Sequence, residues 1–278
     1  MDKLNGVFLG CKFKSLIKQL TLKVHSVFKN VINIESGNDI LSVVNMNVGL
    51  SSTYLSVCEY TDFSRYSIQL GANCYFNEDS IQISDKILID INKAKLWKSK
   101  IQKDLSVEEK NIKRENLFKL YSVIQRYHSK ESAFGEILRD NGEYISLLNG
   151  LKDLLKSEKS ISCLIGNGIG LTPAGDDVIL GFLACLNHIK EYFPIREKFH
   201  GLILLYLDKT TRMSIEMLKN GLDYDYHEFV GDVLYDMFFN LPENVEISTR
   251  KLLKIGATSG SDIATGLYLG FIGSRRFL

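Results

Sequence analysis

The stretch "LIGNGIGLTPAGDDVILGFLACL", residues 164–186, places clustered glycines and two adjacent aspartates at the start of an apolar run. Thr172 and Pro173 predict the beginning of a helix, with a hydroxyl N-cap followed by proline at the first helical position. Asp176 and Asp177 would then lie in the first turn, where the helix dipole favours negative charge. Capping explains Pro173 and one carboxylate, but it leaves the glycine cluster unexplained.

The glycine cluster points to a ligand. Glycines that precede a helix let backbone N–H groups approach an anion closely, and four occur here: Gly166, Gly168, Gly170 and Gly175. Their spacing matches neither the dinucleotide fingerprint nor the Walker phosphate loop. Two carboxylates repel an anion unless a cation lies between them, so a magnesium ion held by Asp176 and Asp177 is one interpretation.

The chain then repeats the pattern. "GDDVILG" at 175–181 matches "GSDIATG" at 260–266, and a threonine precedes each copy, Thr172 or Thr258. We interpret the two copies as similar helix starts that face one another across a shared site; two similar capped helices are the alternative. Between them, Thr210 and Ser214 lie four apart in a helical pattern and are predicted to share one face. Such hydroxyls could equally bond to the backbone of their own helix.

The sequence predicts an α+β protein. Short β-branched runs separated by Gly, Asn, Asp and Ser predict an antiparallel sheet or small barrel after a short helix at 11–20; they cover 23–35, 39–48, 53–60, 66–71, 80–85 and 86–91. Apolar residues three and four apart then predict helices at 95–102, 107–129, 143–158, 176–191, 195–220, 225–239, 245–255 and 261–272. We therefore expect a β-rich domain over 1–92 and a mostly helical domain over 93–278.

Composition excludes several classes of protein. The 278 residues are 45% hydrophobic and 24% charged, which is typical of soluble globular proteins, and the net charge of +1 gives no field that favours nucleic acid. The sequence lacks an apolar run of membrane-spanning length and a signal-peptide pattern, so we expect no membrane partner and a cytoplasmic location. The five cysteines and five histidines show no zinc-ligand spacing.

Local charge is less even than the total. Residues 93–132 hold 11 Lys/Arg against 5 Asp/Glu, whereas residues 201–250 hold 4 against 9. Both segments could be solvated helix faces, or they could form a partner-docking surface of mixed sign.

Three blocks carry a family resemblance. "GNGIGLTPAGDDVILGFL", "TTRMSIEML" with the "NGL" that follows shortly after, and "GATSGSDIATGLYLGF" resemble the signature blocks of the AllH-like family, most strongly over 164–273. This family was long known as a domain of unknown function. Its best-understood branch is a subunit of the oxamate carbamoyltransferase of anaerobic allantoin degradation. Arg212 departs from the small or apolar residue expected inside the family's Thr-x-x-Ser block.

The resemblance implies a chemistry in which oxalurate and phosphate exchange with oxamate and carbamoyl phosphate. It also implies other subunits as partners and a small anionic substrate such as carbamoyl phosphate or oxamate. Catalytic roles would pass to Asp176, Asp177 and Asp262, with Mg²⁺ as a possible cofactor at the first two. Substrate binding would pass to Gly168, Gly170, Thr172, Gly175, Thr211, Ser214, Ser259 and Gly260.

Three hypotheses follow. In the first, the chain is a subunit of a carbamoyltransferase-like enzyme, with an anion or phosphate site at the two Gly-Asp helix starts. In the second, the chain is a non-catalytic subunit that uses the same loops to bind a small anion or a partner chain. In the third, the glycines serve only the close packing of helices.

Overall fold

The computed structural model describes residues 1–17, 22–58, 60–132 and 158–274. The chain divides into two compact units, residues 1–99 and residues 100–278. The sequence places the boundary after residue 92, ahead of a last short strand that belongs to the first unit. The α+β class is confirmed, with a β-rich unit followed by a helical one.

The first unit is a closed barrel. Its strands are β1 Asp2–Gly10, β2 Leu22–Val27, β3 Val31–Ser36, β4 Asp39–Asn45, β5 Tyr54–Val57, β6 Asn73–Asn77, β7 Ser80–Ile83, β8 Ile87–Asp90 and β9 Lys95–Trp97, with a short helix α1 Phe13–Leu16 after β1. The order is β5-β4-β3-β2-β6-β7-β8-β1-β9, and β1 also pairs with β5, which closes eight strands into a ring. The pairs β1–β8, β1–β9 and β4–β5 are parallel and the others antiparallel, so the sheet is mixed.

The barrel's core comes from the alternation of side chains along its strands. In β7 and β8, Ile81, Ile83, Ile87 and Ile89 are fully buried, while the residues between them are partly exposed. This is the period of two that places one face of each strand inside. Of the runs predicted as strands, the segment 66–71 forms none, whereas β1, β6 and β9 arise outside the predicted runs.

The second unit is helical over its described residues. Its helices are α2 Arg114–Tyr127, α3 Glu158–Leu164, α4 Ala174–His188, α5 Phe193–Tyr206, α6 Arg212–Leu222, α7 Glu228–Phe239, α8 Pro242–Leu252 and α9 Ser259–Ser274. The prediction of a helix at 95–102 is wrong, since β9 occupies its start. The single helix predicted over 195–220 is two, α5 and α6. The helix predicted over 143–158 lies outside the described residues except for its last position.

The centre of this unit is the contact between α4 and α9. Both helices are buried on nearly all sides, as their continuous apolar sequences predict. They approach closely because each carries a glycine at the crossing: a Cβ on Gly181 would overlap the carbonyl oxygen of Ile263, and one on Gly266 would overlap that of Val178. These are the last glycines of the two sequence repeats, so the hypothesis of close packing holds for this pair.

Parts of the basic segment 93–132 and of the acidic segment 201–250 are in contact within the second unit. Lys119 of α2 pairs with Glu246 of α8 at 3.1 Å, and Lys100 pairs with Asp232 of α7 at 3.0 Å. The Asn116 amide donates to carbonyls at the end of α7, the nearest being Asn240 O at 3.1 Å. Part of the charge asymmetry is therefore neutralised inside the unit. None of the described helices is long and apolar enough to cross a membrane.

Candidate functional site

The two Gly-Asp helix starts have the same anchoring. Gly175, in the first turn of α4, packs against the carbonyl of Leu164 at the end of α3, where a Cβ would overlap the oxygen. Gly260, at the start of α9, packs in the same way against the carbonyl of Leu252 at the end of α8. Each copy of the repeat thus fixes its helix start on the end of the helix before it.

Asp176 anchors the glycine loop that precedes α4. One carboxylate oxygen accepts from the amide of Gly166 at 2.9 Å, and the other accepts from the hydroxyl of Thr210. Gly166 packs tightly on the carbonyl of Lys209. Both oxygens of Asp176 are therefore used to join the loop to the segment between α5 and α6.

That segment corrects the prediction for Thr210 and Ser214. The two hydroxyls do not share a helix face, because α5 ends at Tyr206 and α6 begins at Arg212. Thr211 is the N-cap of α6: its hydroxyl accepts from the Ser214 amide at 3.1 Å and donates to the carbonyl of Leu171 in the glycine loop. The Ser214 hydroxyl is buried and has no hydrogen-bond partner among the described residues.

Thr172 links the two helix starts. The sequence predicts it as the N-cap of α4, but Pro173 holds the N-cap position and no side chain caps the helix. The Thr172 hydroxyl bonds instead to the hydroxyl of Ser259, at the start of α9, at 2.9 Å. The structure therefore brings the two repeats into contact at the residues that begin their helices.

Asp177 lies behind this pair of hydroxyls. Its side chain is fully buried, and neither carboxyl oxygen has a hydrogen-bond partner in the part of the chain that the structure describes. Burial raises the pKa of Asp177 well above its usual range, and the nearby carboxylates of Asp262 and Asp176 raise it further. The Ser259 and Thr172 hydroxyls are near enough to lower that pKa in part, but they bond each other and complete no hydrogen bond to the carboxyl group.

Asp262 is the counterpart of Asp177 in the second repeat. It is also fully buried, and one oxygen accepts from the hydroxyl of Ser132 at 2.6 Å. The neighbouring Ser261 accepts from the amide of Ser129 at 2.8 Å. Ser129 and Ser132, just after α2, thus cover the start of α9, and no spacing in the sequence singles them out.

Backbone amides donate hydrogen bonds to described residues from the second residue of α4 and of α9 onward, but not just before these helices. At α4, the Gly175 amide donates to Asn167 O at 2.9 Å, and at α9 the Gly260 amide donates to Ile255 O at 2.9 Å. The amides that follow in both first turns also donate to backbone carbonyls. The amides of residues 168–171 donate no hydrogen bond to any described residue, and these four residues are exposed. The amides of 256–259, before α9, likewise donate none, and Gly256 and Ala257 are exposed.

The arrangement of carboxyl groups bears on whether Asp176 and Asp177 could hold the predicted magnesium ion. Across the described ranges, no three His, Cys, Asp or Glu side chains are grouped so as to hold one. Since Asp176 uses both oxygens on Gly166 and Thr210, the predicted pair of Asp176 and Asp177 has one carboxyl group that is not engaged.

Comparison with known families covers both units. The model described as oxamate carbamoyltransferase subunit AllH matches residues 164–271, which include the glycine loop and both helix starts. The model described as the AllH family N-terminal domain matches residues 7–96, which cover most of the barrel. No solved structure matches the chain.

Proposed function

The chain belongs to the AllH family, a family of oxamate carbamoyltransferase subunits, and we propose that it binds a small anionic substrate of such an enzyme between the two Gly-Asp helix starts. The observation that carries this proposal is Asp177, a buried carboxyl group without a hydrogen-bond partner beside the Thr172–Ser259 contact. Burying a polar group without partners costs about 1–3 kcal/mol, so such a group in a native structure calls for an explanation, and a bound ligand would supply one.

The surroundings of Asp177 suit a ligand with two unlike ends. The exposed loop 168–171 offers backbone donors to an anionic group such as a carboxylate or phosphate. The hydroxyls of Thr172 and Ser259 can bond to carbamoyl or carboxylate oxygens. Oxamate and carbamoyl phosphate both join an anionic group to a planar C(=O)NH₂ group, so each matches this arrangement.

The reaction of this enzyme type moves a carbamoyl group from a phosphate oxygen to the nitrogen of oxamate. The new C–N bond forms, the C–O bond to phosphate breaks, the oxamate nitrogen loses one proton, and phosphate leaves. Such a transfer depends on holding the two reactants in orientation and on donors aimed at the developing oxyanion. The loop amides and the two hydroxyls are the groups of this chain that would supply both.

Phosphate release from carbamoyl phosphate and oxamate tests this proposal, measured on the chain assembled with its partner subunits. We expect Asp177→Leu, which keeps the side-chain shape but removes the carboxyl group, to lower turnover by at least about 100-fold. Glu243→Gln is the matched control, because it removes an exposed carboxylate from the first turn of α8. Normal turnover in Asp177→Leu, with the complex intact by gel filtration, would exclude a substrate site at Asp177.

One observation favours the assembly hypothesis as a second candidate. Ile169, at the tip of the glycine loop, is 96% exposed, and Leu171 beside it is 36% exposed. An apolar tip on an exposed loop suits insertion into another subunit. Under this hypothesis, Ile169→Ser releases the partner subunits, and Asp177→Leu leaves turnover unchanged.

A further inference from the structure

We infer that the outer face of α5 is a surface for self-association, on which a second copy of the chain lays its own α5 in the antiparallel direction. This outer face consists of the exposed residues between positions 197 and 209. It includes the 3₁₀ turn Leu207–Lys209, which directly follows the helix. None of these residues belongs to the proposed ligand site, so the dimer and the ligand site can be tested separately.

The outer face of α5 is apolar at its centre. Of the 14 residues of the helix, Phe199 and Ile203 are buried in the protein. Leu204 and Leu205 are instead 57% and 59% exposed. Single exposed leucines are common on protein surfaces, but two neighbouring leucines beside an exposed glycine form a patch that another protein surface would cover.

Gly201 lies in the middle of this face, and the chain itself gives no reason for it. No atom of the described residues lies within 4 Å of the position of its Cβ. Glycine inside a helix costs about 1 kcal/mol relative to alanine. At the crossing of α4 and α9, by contrast, Gly181 and Gly266 each allow the other helix to come close. Gly201 therefore marks the place where a helix from outside the chain could approach α5 closely.

Opposite charges stand on the two sides of Gly201. Lys198 precedes it and Asp208 follows it, both are exposed, and neither forms an ion pair within the described part of the chain. The two residues are about 15 Å apart along the helix axis, so they cannot pair with each other in one copy. Each is available to a partner.

An antiparallel pair of α5 helices brings these features together. When Gly201 of one copy lies opposite Leu205 of the other, the leucine fills the space above the glycine. The same register places opposite charges level with one another: Lys198 with Asp208, and Glu197 with Lys209. Two-fold symmetry repeats every contact, so each of these pairs occurs twice. Because one register meets the apolar and the charged contacts together, the face is complementary to itself, and its occupant is a second copy of the chain.

Sedimentation velocity of the full chain over a range of concentrations tests this dimer. We expect a reversible dimer whose dissociation constant rises at least about tenfold in Lys198→Asp and in Asp208→Lys, because each change brings like charges together twice. The double variant should restore the dimer, because it exchanges the two charges and makes each pair opposite again. Lys93→Asp, which reverses an exposed lysine outside α5, should leave the dissociation constant unchanged.

Leu205→Ser tests the apolar contact in the same measurement. It removes the side chain that would cover Gly201, and we expect it to raise the dissociation constant at least about tenfold. Ile247→Ser on α8 is the matched control, since Ile247 is 57% exposed, and it should leave the dimer intact. Circular dichroism checks that each variant is folded.

Four results would overturn the inference. These are a chain that stays monomeric at every concentration, a dimer that neither single charge reversal weakens, a double variant as weak as the single ones, or α5 variants that release a different subunit while self-association is unchanged. The last result would show that the outer face of α5 binds another protein. If Leu205→Ser does not fold, the three charge variants still decide the question.

Discussion

The starts of α4 and α9 share their scaffold and differ in what precedes them. Each has a glycine on the end of the previous helix, a buried aspartate two residues later, and a glycine at the helix crossing. Before α9 the chain makes a short turn after α8. Before α4 it makes a longer connection over 165–173, in which residues 168–171 are exposed and Ile169 is 96% exposed.

This difference distinguishes the residues that helix packing explains from those that the proposed binding site would use. The glycines that the repeats share are explained by close approach of helices, without any ligand. The feature found only at α4 is a carboxyl group without partners, since Asp262 receives the Ser132 hydroxyl whereas Asp177 receives none in the described part of the chain. Under the proposed function the glycines have two roles, packing and binding, and substitution can tell them apart.

The largest expected effect is at the helix crossing. Gly181→Ala and Gly266→Ala each place a methyl group inside the contact distance of a backbone carbonyl on the partner helix. Backbone cannot rotate away as a side chain can, so we expect each change to lower the free energy of unfolding by at least about 3 kcal/mol. Urea unfolding followed by circular dichroism measures the loss.

Gly201→Ala is the control for the crossing. Gly201 lies in α5, where the described part of the chain places no atom near the position of a Cβ, so alanine there should raise stability by about 0.5–1 kcal/mol through helix propensity alone. Equal effects at Gly181 and Gly201 would show that the crossing does not need its glycines.

The second prediction concerns pH and the buried Asp177. Because its pKa is raised in the folded state, the folded protein keeps a proton that the unfolded chain has lost. The contribution of Asp177 to stability is therefore greatest at low pH and falls as the pH rises above about 4, by at most about 1.4 kcal/mol per pH unit, until the pH passes the folded-state pKa.

Asp177→Asn does not titrate and so reveals this loss. The difference in unfolding free energy between Asp177→Asn and the unmodified protein should move in favour of Asn as the pH rises from about 4 to about 8. Urea unfolding of both proteins across this range measures the difference. Parallel stability curves would show that the Asp177 carboxyl group is paired when the protein is folded.

The succession of strands and helices along the chain could be predicted from the sequence better than the contacts between distant segments. Runs of β-branched residues indicated most of the barrel, but β1, "DKLNGVFLG", has two glycines and a single β-branched residue, and its place is decided by pairing with distant strands. The sequence predicts a single helix over 195–220, but α5 ends at Tyr206 and α6 begins at Arg212. The side chains of Thr210 and Thr211 bond to Asp176 and Leu171 instead, and those partners lie far away in sequence.

The same limit applies to the site. The repeated Gly-x-Asp pattern is local and could be seen directly in the sequence. The different environments of Asp176 and Asp177 could not, because they depend on Thr210, 34 positions away, and on Ser259, whose hydroxyl bonds to Thr172 across 87 positions. Hydrogen-bond partners at such separations are set by tertiary packing, which periodicity does not report.

The smallest expected effect on stability is at Gly170, and there the two roles separate most clearly. Gly170 has φ of +96° and no atom of the described residues near the position of a Cβ, so among those residues Gly170→Ala meets only backbone strain, worth about 1–2 kcal/mol. Gly71→Ala in the barrel is matched to it, with φ of +78° and equally open surroundings. We expect similar small losses of stability in both variants by urea unfolding.

Gly170→Ala alone should also weaken oxamate binding by about tenfold in calorimetry, since it shifts the loop amides. Unchanged binding in Gly170→Ala would mean that the loop before α4 only connects two helices.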